Sequence, residues 1–147
     1  MIQFGILGLG KIAHKFAQDM LLVDRCILAA VSSRSLEKAR EFAETHQANS
    51  YYSSYKQMLD DPSVMVVYIA TPHVFHYEHT LMCLNAHKAV VCEKPFAMNK
   101  NQVAHMIQKA RKNNLFLMEA LWTRWIPSTL KVLELLSTDT NGGVDSF

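Results

Sequence analysis

The sequence predicts an α/β fold, a doubly wound parallel sheet of six strands in the order 3-2-1-4-5-6. Three observations carry that reading. Short apolar runs alternate with stretches of helical periodicity, and the connections are short. That pattern calls for parallel strands joined by right-handed helical crossovers. The first apolar run, Ile2–Leu7, closes in Gly8-x-Gly10-x-x-Ala13 and opens at once into a helical pattern. The run Val64–Ala70 is nearly all apolar, with three valines and an isoleucine. A strand of that composition is buried on both faces, as central parallel strands are.

The elements follow in order. Lys11–Leu22 is the first helix, with Ile12, Phe16 and Met20 recurring as a buried face. Cys26–Val31 is the second strand. Ser35 can cap a helix whose buried face is Leu36, Ala39, Phe42 and Ala43. Asn49–Tyr52 is a weaker third strand, and Tyr55–Leu59 a short helix stopped by Asp60-Asp61-Pro62. Thr71-Pro72 ends the fourth strand, and Phe75–Asn85 suits a helix. Ala89–Cys92 is the fifth strand, closed by Glu93-Lys94-Pro95. Asn99 and Gln102 resemble a capping box ahead of Val103, Met106, Ile107 and Ala110, with Asn113-Asn114 as the stop. Leu115–Leu121 is the sixth strand. Pro127 suits the first turn of a last helix with Leu130, Leu133 and Leu136 on one face. Asn141-Gly142-Gly143 reads as a turn, and Val144–Phe147 alternates like the start of another strand.

Composition narrows the class of protein. The 147 residues suit one domain of ordinary size, half hydrophobic and 19% charged, as in a soluble globular protein. The net charge of +2 comes from basic residues spread along the chain, so nucleic acid is not an expected partner. Cys26, Cys83 and Cys92 are far apart, odd in number and set in apolar stretches, which reads as reduced, buried thiols in a cytoplasmic protein. No signal-peptide pattern precedes the first strand, and no apolar run has the length of a membrane span.

Ligands of open parallel sheets bind beyond the carboxyl ends of the strands, and the polar residues of this chain gather there. Gly8 allows a sharp turn, Gly10 lets the backbone approach a pyrophosphate, and Ala13 lets the helix lie close to the strand. With Lys11 and Ile12 they form a dinucleotide cradle at a helix N-terminus. The second strand ends in Ser33-Arg34, where an NAD-preferring domain offers an acid. A guanidinium and a hydroxyl suit a 2′-phosphate instead, so NADP is read over NAD, with NAD still possible. The alternative is a solvated arginine. Lys94, at the tip of a buried strand, is placed for proton transfer, or else is a surface lysine paired with Glu93. His73, His76 and His79 lack a converging carboxylate or thiolate, so no metal site is expected. His76 reads as a cofactor-pocket residue, and His73 and His79 as solvated. Trp122, Arg124 and Trp125 share one loop, as aromatics at a domain joint or as ligand contacts.

These residues together resemble the N-terminal Rossmann domain of the Gfo/Idh/MocA oxidoreductases. The pieces that match are Gly8–Ala13, Ser33-Arg34, Tyr51–Tyr55, Val67–Pro72 with His76, Glu93-Lys94-Pro95 and Met118–Pro127. The last is most similar to the dihydrodiol and NADP-dependent sugar dehydrogenase branch. The resemblance implies that Thr71, Pro72, His76 and Glu93 lie along the cofactor. It implies that Lys94 reaches both nicotinamide ribose and substrate hydroxyl, that Arg124 touches the cofactor, and that Trp122 lies near the substrate. It implies a cis Lys94–Pro95 peptide. His73 departs from the asparagine common after the Thr-Pro pair. Members continue into an antiparallel-sheet domain, so residues 1–121 are expected to be the dinucleotide-binding domain and residues 122–147 the link into a truncated second one.

The function expected is therefore the cofactor half of an NADP-dependent dehydrogenase. Its substrate would be a sugar, polyol or cyclic diol, with little turnover by this chain alone and a homo-oligomer at full length. The alternative is a non-catalytic dinucleotide-binding module used for redox sensing or partner binding. A methyltransferase would want an acidic residue where Ser33-Arg34 stand.

Overall fold

The computed structural model describes residues 1–137. Strands β1 (Ile2–Leu7), β2 (Cys26–Ser32), β3 (Ser50–Tyr52), β4 (Val66–Ile69), β5 (Ala89–Cys92) and β6 (Leu117–Glu119) form one sheet in the order β3-β2-β1-β4-β5-β6. Every neighbouring pair is parallel. The helices are α1 (Lys11–Met20), α2 (Leu36–His46), α3 (Tyr55–Asp60), α4 (His76–Asn85), α5 (Lys100–Lys112) and α6 (Pro127–Ser137). Two 3-10 turns, His73–Phe75 and Trp122–Trp125, precede α4 and α6. The expected order is thus the observed one. The Asn141-Gly142-Gly143 turn and the strand start at Val144–Phe147 lie outside the described residues.

Local chemistry explains the helix starts. The Ser35 hydroxyl accepts the Lys38 N–H at 3.4 Å to begin α2. At α5 the Asn99 side chain accepts the Gln102 N–H at 3.0 Å. Gln102 reaches back past Asn99 to the Met98 N–H, also 3.0 Å, one residue beyond a true capping box. Helix α2 ends with Gln47 in the left-handed region, φ 58°.

Two helix faces differ from the periodicity reading. Helix α1 buries Ala13, Ala17 and Met20, not Ile12, which is 42% exposed. The helix lies so close to the sheet that alanines meet it, and Phe16 turns sideways to stack on Tyr68 at 3.7 Å. In α2, Leu36 is exposed and His46 takes its place in the buried row. Of the cysteines, Cys83 and Cys92 are buried free thiols and Cys26 is only partly buried. Burial pushes the Cys92 thiol up to about 12.

The strands send alternate side chains to opposite faces. One face packs Leu7, Val67, Ile69, Val90 and Cys92 with Met58, Cys83, Leu84 and Ala110 from the helices. The other packs Ile6, Leu28, Val31 and Tyr68 with Ala13, Ala17, Met20, Phe42 and Ala43.

Candidate dinucleotide-binding site

At the carboxyl edge of the sheet, Gly8 turns the chain off β1 with φ +89°. A Cβ there would stand 2.7 Å from the Thr71 methyl and 3.0 Å from the Thr71 nitrogen. The tips of β1 and β4 therefore meet too closely for any other residue. Gly10 is the N-cap of α1, with an extended backbone and no side-chain cap. A Cβ at Gly10 would meet nothing within 4 Å, so the space above the helix start is open. Ala13 is fully buried, and its N–H bonds the Gly10 carbonyl at 3.0 Å. Open space over a glycine at an uncapped helix N-terminus fits a pyrophosphate, whose charge the helix dipole favours. Lys11 and Ile12, both exposed, border that space.

The tip of β2 flanks the cradle. The Gly8 N–H bonds the Ser32 carbonyl at 3.1 Å, and the Ser33 N–H bonds the Tyr52 carbonyl at 3.1 Å. Ser33 Oγ accepts the Ser35 N–H at 3.3 Å. Arg34 is exposed and has no carboxylate partner among the described residues. Its charge acts on both Tyr55 and His79.

The tip of β4 corrects the histidine readings. His79 is not solvated: its Nδ1 lies 2.9 Å from Thr71 Oγ1, and its ring contacts Tyr55 and Phe75. Burial is the main reason its pKa falls below that of an ordinary histidine. His76 is 1% exposed, with Nδ1 2.8 Å from the Pro95 carbonyl and Nε2 2.8 Å from the Thr71 carbonyl. It ties the β4 tip to the loop after β5. A neutral ring donates to one of those carbonyls, and the cationic ring donates to both. His73 is exposed, as is Pro72. Among the described residues, no group of three or more His, Cys, Asp or Glu could hold a metal ion.

At the tip of β5, Glu93 is buried and accepts a short hydrogen bond from the Tyr68 hydroxyl. Burial first, and Glu93 second, hold the Tyr68 phenol far above its usual range. The Lys94 N–H donates to the Glu93 carboxylate at 3.3 Å, while the Lys94 side chain is exposed and has no ion-pair partner among the described residues. The Lys94–Pro95 peptide is cis. The Phe96 N–H donates to the Glu119 carboxylate at 2.8 Å, which ties this loop to β6.

A cleft of about 420 Å³ opens beside Glu93, between α1 and the Trp122–Trp125 turn. Tyr68, Val91, Met118 and Ala120 form its floor, and Ile12, Trp122 and Trp125 its rim. Gly8, Gly10, Ser33, Arg34 and Thr71 gather at the other half of the edge. Ile12, Glu93 and Trp122 are the expected residues that face the cleft. Arg124 is exposed on the same turn, and no contact among the described residues ties it to the glycine cradle. Sequence reasoning missed Tyr68 and Tyr55. The signal for Tyr68 was a phenol inside an otherwise apolar strand, since a buried hydroxyl needs a partner.

A parallel sheet with a glycine cradle at the first strand tip, flanked by Ser33-Arg34 and Glu93-Lys94-Pro95, has the architecture of a dinucleotide-binding domain. Residues 2–121 match the Gfo/Idh/MocA oxidoreductase family, NAD-binding Rossmann fold, and the chain belongs to that family. It is 42% identical over 145 residues to trans-1,2-dihydrobenzene-1,2-diol dehydrogenase of Danio rerio, covering 97% of this chain and 43% of that protein. The Homo sapiens protein of the same name is 39% identical over 143 residues, with 96% and 43% covered. Among solved structures, a 3-ketoreductase from Actinomadura kijaniata in complex with NADP superposes with a TM-score of 0.88 at 27% identity. That match covers 92% of this chain and 42% of the other. An NAD-binding oxidoreductase from Klebsiella pneumoniae gives 0.85 at 27% identity, over 91% and 38%. The chain thus spans less than half the length of these relatives. No helix among the described residues is long and apolar enough to cross a membrane.

Proposed function

We propose that the chain is the cofactor-binding part of an NADP-dependent dehydrogenase acting on a cyclic diol, sugar or polyol. The observation that carries this reading is Arg34, exposed beside the glycine cradle with no carboxylate to neutralise it. The ribose of the adenosine half would lie at the β2 tip, where Arg34 and Ser33 receive a 2′-phosphate. Gly8, Gly10 and Ala13 hold the pyrophosphate against α1, with Thr71 supporting Gly8 from below. His76 and Glu93 brace the β4 and β5 tips. The bound nicotinamide supplies or accepts the hydride. Lys94, whose ammonium has no ion-pair partner among the described residues, exchanges the substrate hydroxyl proton at Nζ. Trp122 at the rim of the cleft lies toward the substrate, and Arg124 toward the cofactor. The name of the dihydrodiol dehydrogenases supports a diol substrate, and that of the 3-ketoreductase the reduction of a ketone. The half-exposed leucines of α6, such as Leu130 and Leu133, support association with further apolar surface.

Fluorescence titration with NADPH and NADH tests the reading. The chain should prefer NADPH, and Arg34→Ala should lower that preference by roughly 10-fold to 100-fold, the worth of a charge-assisted contact. Equal affinity for the two cofactors, or a preference untouched in Arg34→Ala, would defeat it.

A further inference from the structure

His79, in the first turn of α4, has no part in the roles above, yet three other segments meet at its ring. These are the first residue of α3, the tip of β4 and the 3-10 turn before α4. Its Nδ1 is 2.9 Å from Thr71 Oγ1. Tyr55 meets its ring edge-on with centroids 5.1 Å apart, and Phe75 stacks on it at 5.6 Å. Those three contacts fix the plane of the ring. Nε2 has no hydrogen-bond partner among the described residues. Thr71 in turn lies against Gly8, and Arg34 is exposed at the β2 tip that flanks the same cradle.

Resting on the NADP reading, we propose that His79 is the second basic group of the 2′-phosphate site, taking up a proton from solvent when the phosphate binds beside Arg34. Thr71 links the imidazole to the Gly8 turn, Arg34 stands exposed at the neighbouring β2 tip, and Nε2 is left to donate. Thr71 does not oppose the change, because its hydroxyl donates to a bare Nδ1 and accepts from a protonated one. In the free protein the ring favours its neutral form. Burial is the first cause, the Glu78 carboxylate pulls the other way, and the charges of His76 and Arg34 add to burial. Tyr55 stays a neutral phenol, since burial raises its pKa more than Arg34 lowers it. A phosphate dianion between Arg34 and His79 reverses the repulsion and favours the imidazolium. A cofactor that ends in a plain ribose hydroxyl brings no such charge. The coupling is therefore specific to the phosphorylated cofactor.

Calorimetric titration with NADPH and with NADH, in two buffers of different ionisation enthalpy, counts the protons bound. The wild-type chain should take up more protons on binding NADPH than His79→Gln does. Its preference for NADPH should rise roughly threefold to tenfold more than that of His79→Gln between pH 8 and 6.5. The titration of the phosphate in the free cofactor is common to both proteins and cancels in the comparison. Glutamine retains a hydrogen-bonding group for Thr71, so NADH affinity should be unchanged. Equal proton counts and equal pH dependence in the two proteins would overturn the assignment. So would an equal loss of NADH and NADPH binding in His79→Gln, which would mark a structural part alone. If Arg34→Ala abolishes the NADPH preference while His79→Gln alters nothing, only His79 falls. A wild-type chain with no NADPH preference at either pH removes the NADP reading and this assignment with it.

Discussion

The two faces of the sheet are covered to different degrees. On the face of α3, α4 and α5, the side chains Val67, Ile69, Val90 and Cys92 are all fully buried, as are Cys83 and Leu84 above them. On the face of α1 and α2, Ile6, Val31 and Tyr68 are buried over β1, β2 and β4. Over β5 and β6, Val91 is part-exposed, Met118 is 36% exposed, and the indoles of Trp122 and Trp125 stand mostly in solvent around the cleft. Strand composition does not distinguish the two, because a parallel strand is apolar on both sides. What differs is the supply of helices. Glu93 lines the cleft on the half-covered face, so the β5 tip borders an apolar recess. The glycine cradle, by contrast, is built into finished packing.

Val90 and Val91 put this contrast to the test with one side chain on two faces of one strand. Val90→Ala removes atoms from a sealed core and should cost about 2–3 kcal/mol. Val91→Ala should cost about half of that or less, because its site already meets the cleft. Urea unfolding at constant slope gives both values. Equal losses would show that the second face is as closed as the first.

Tyr68 sharpens the comparison at the floor of the cleft. Tyr68→Phe removes the hydroxyl that Glu93 accepts, leaving a buried carboxylate short of a donor. A loss of about 1–3 kcal/mol is expected by the same unfolding measurement. A loss below about 0.3 kcal/mol would mean that water from the cleft already serves the carboxylate.

The difference between the faces also explains what could be read from sequence. Strand order, the glycine turn and the strand tips were legible because each follows from a local pattern: apolar runs, Gly8 and Gly10, and polar residues after each run. Helix faces were less so. Ile12 and Leu36 fit the helical period as well as Ala13 and His46 do, and only the closeness of α1 to the sheet selects alanine. His79 was misread for a related reason. His79 and His76 gain their partners from residues distant in sequence or bent back by a turn, Tyr55 and the Pro95 carbonyl among them. Spacing along one helix carries no record of those contacts.

The covered half of the second face contains its own test, at the seam of α1 and α2. His14 Nδ1 lies 2.7 Å from His46 Nε2, and Phe42 packs against both rings. One ring must donate and the other accept, so a second proton brings two N–H groups face to face. Burial first, and the charge of His14 second, hold the His46 pKa below that of a free histidine. The folded state then binds fewer protons than the unfolded chain between that lowered pKa and about 6.5. The contribution of His46 is complete above about pH 6.5 and is lost as pH falls toward the folded pKa. Between pH 7.5 and 5.5 the melting temperature should drop by a few degrees, on a scale of about 2–4 °C per kcal/mol for a chain of this size. His79 is shifted in the same direction and adds to the drop. His46→Gln should reduce the drop without removing it, because His79 remains. An unaltered pH profile in His46→Gln would place the seam outside the cooperative core, and the contrast between the faces would then extend to α1 and α2 themselves.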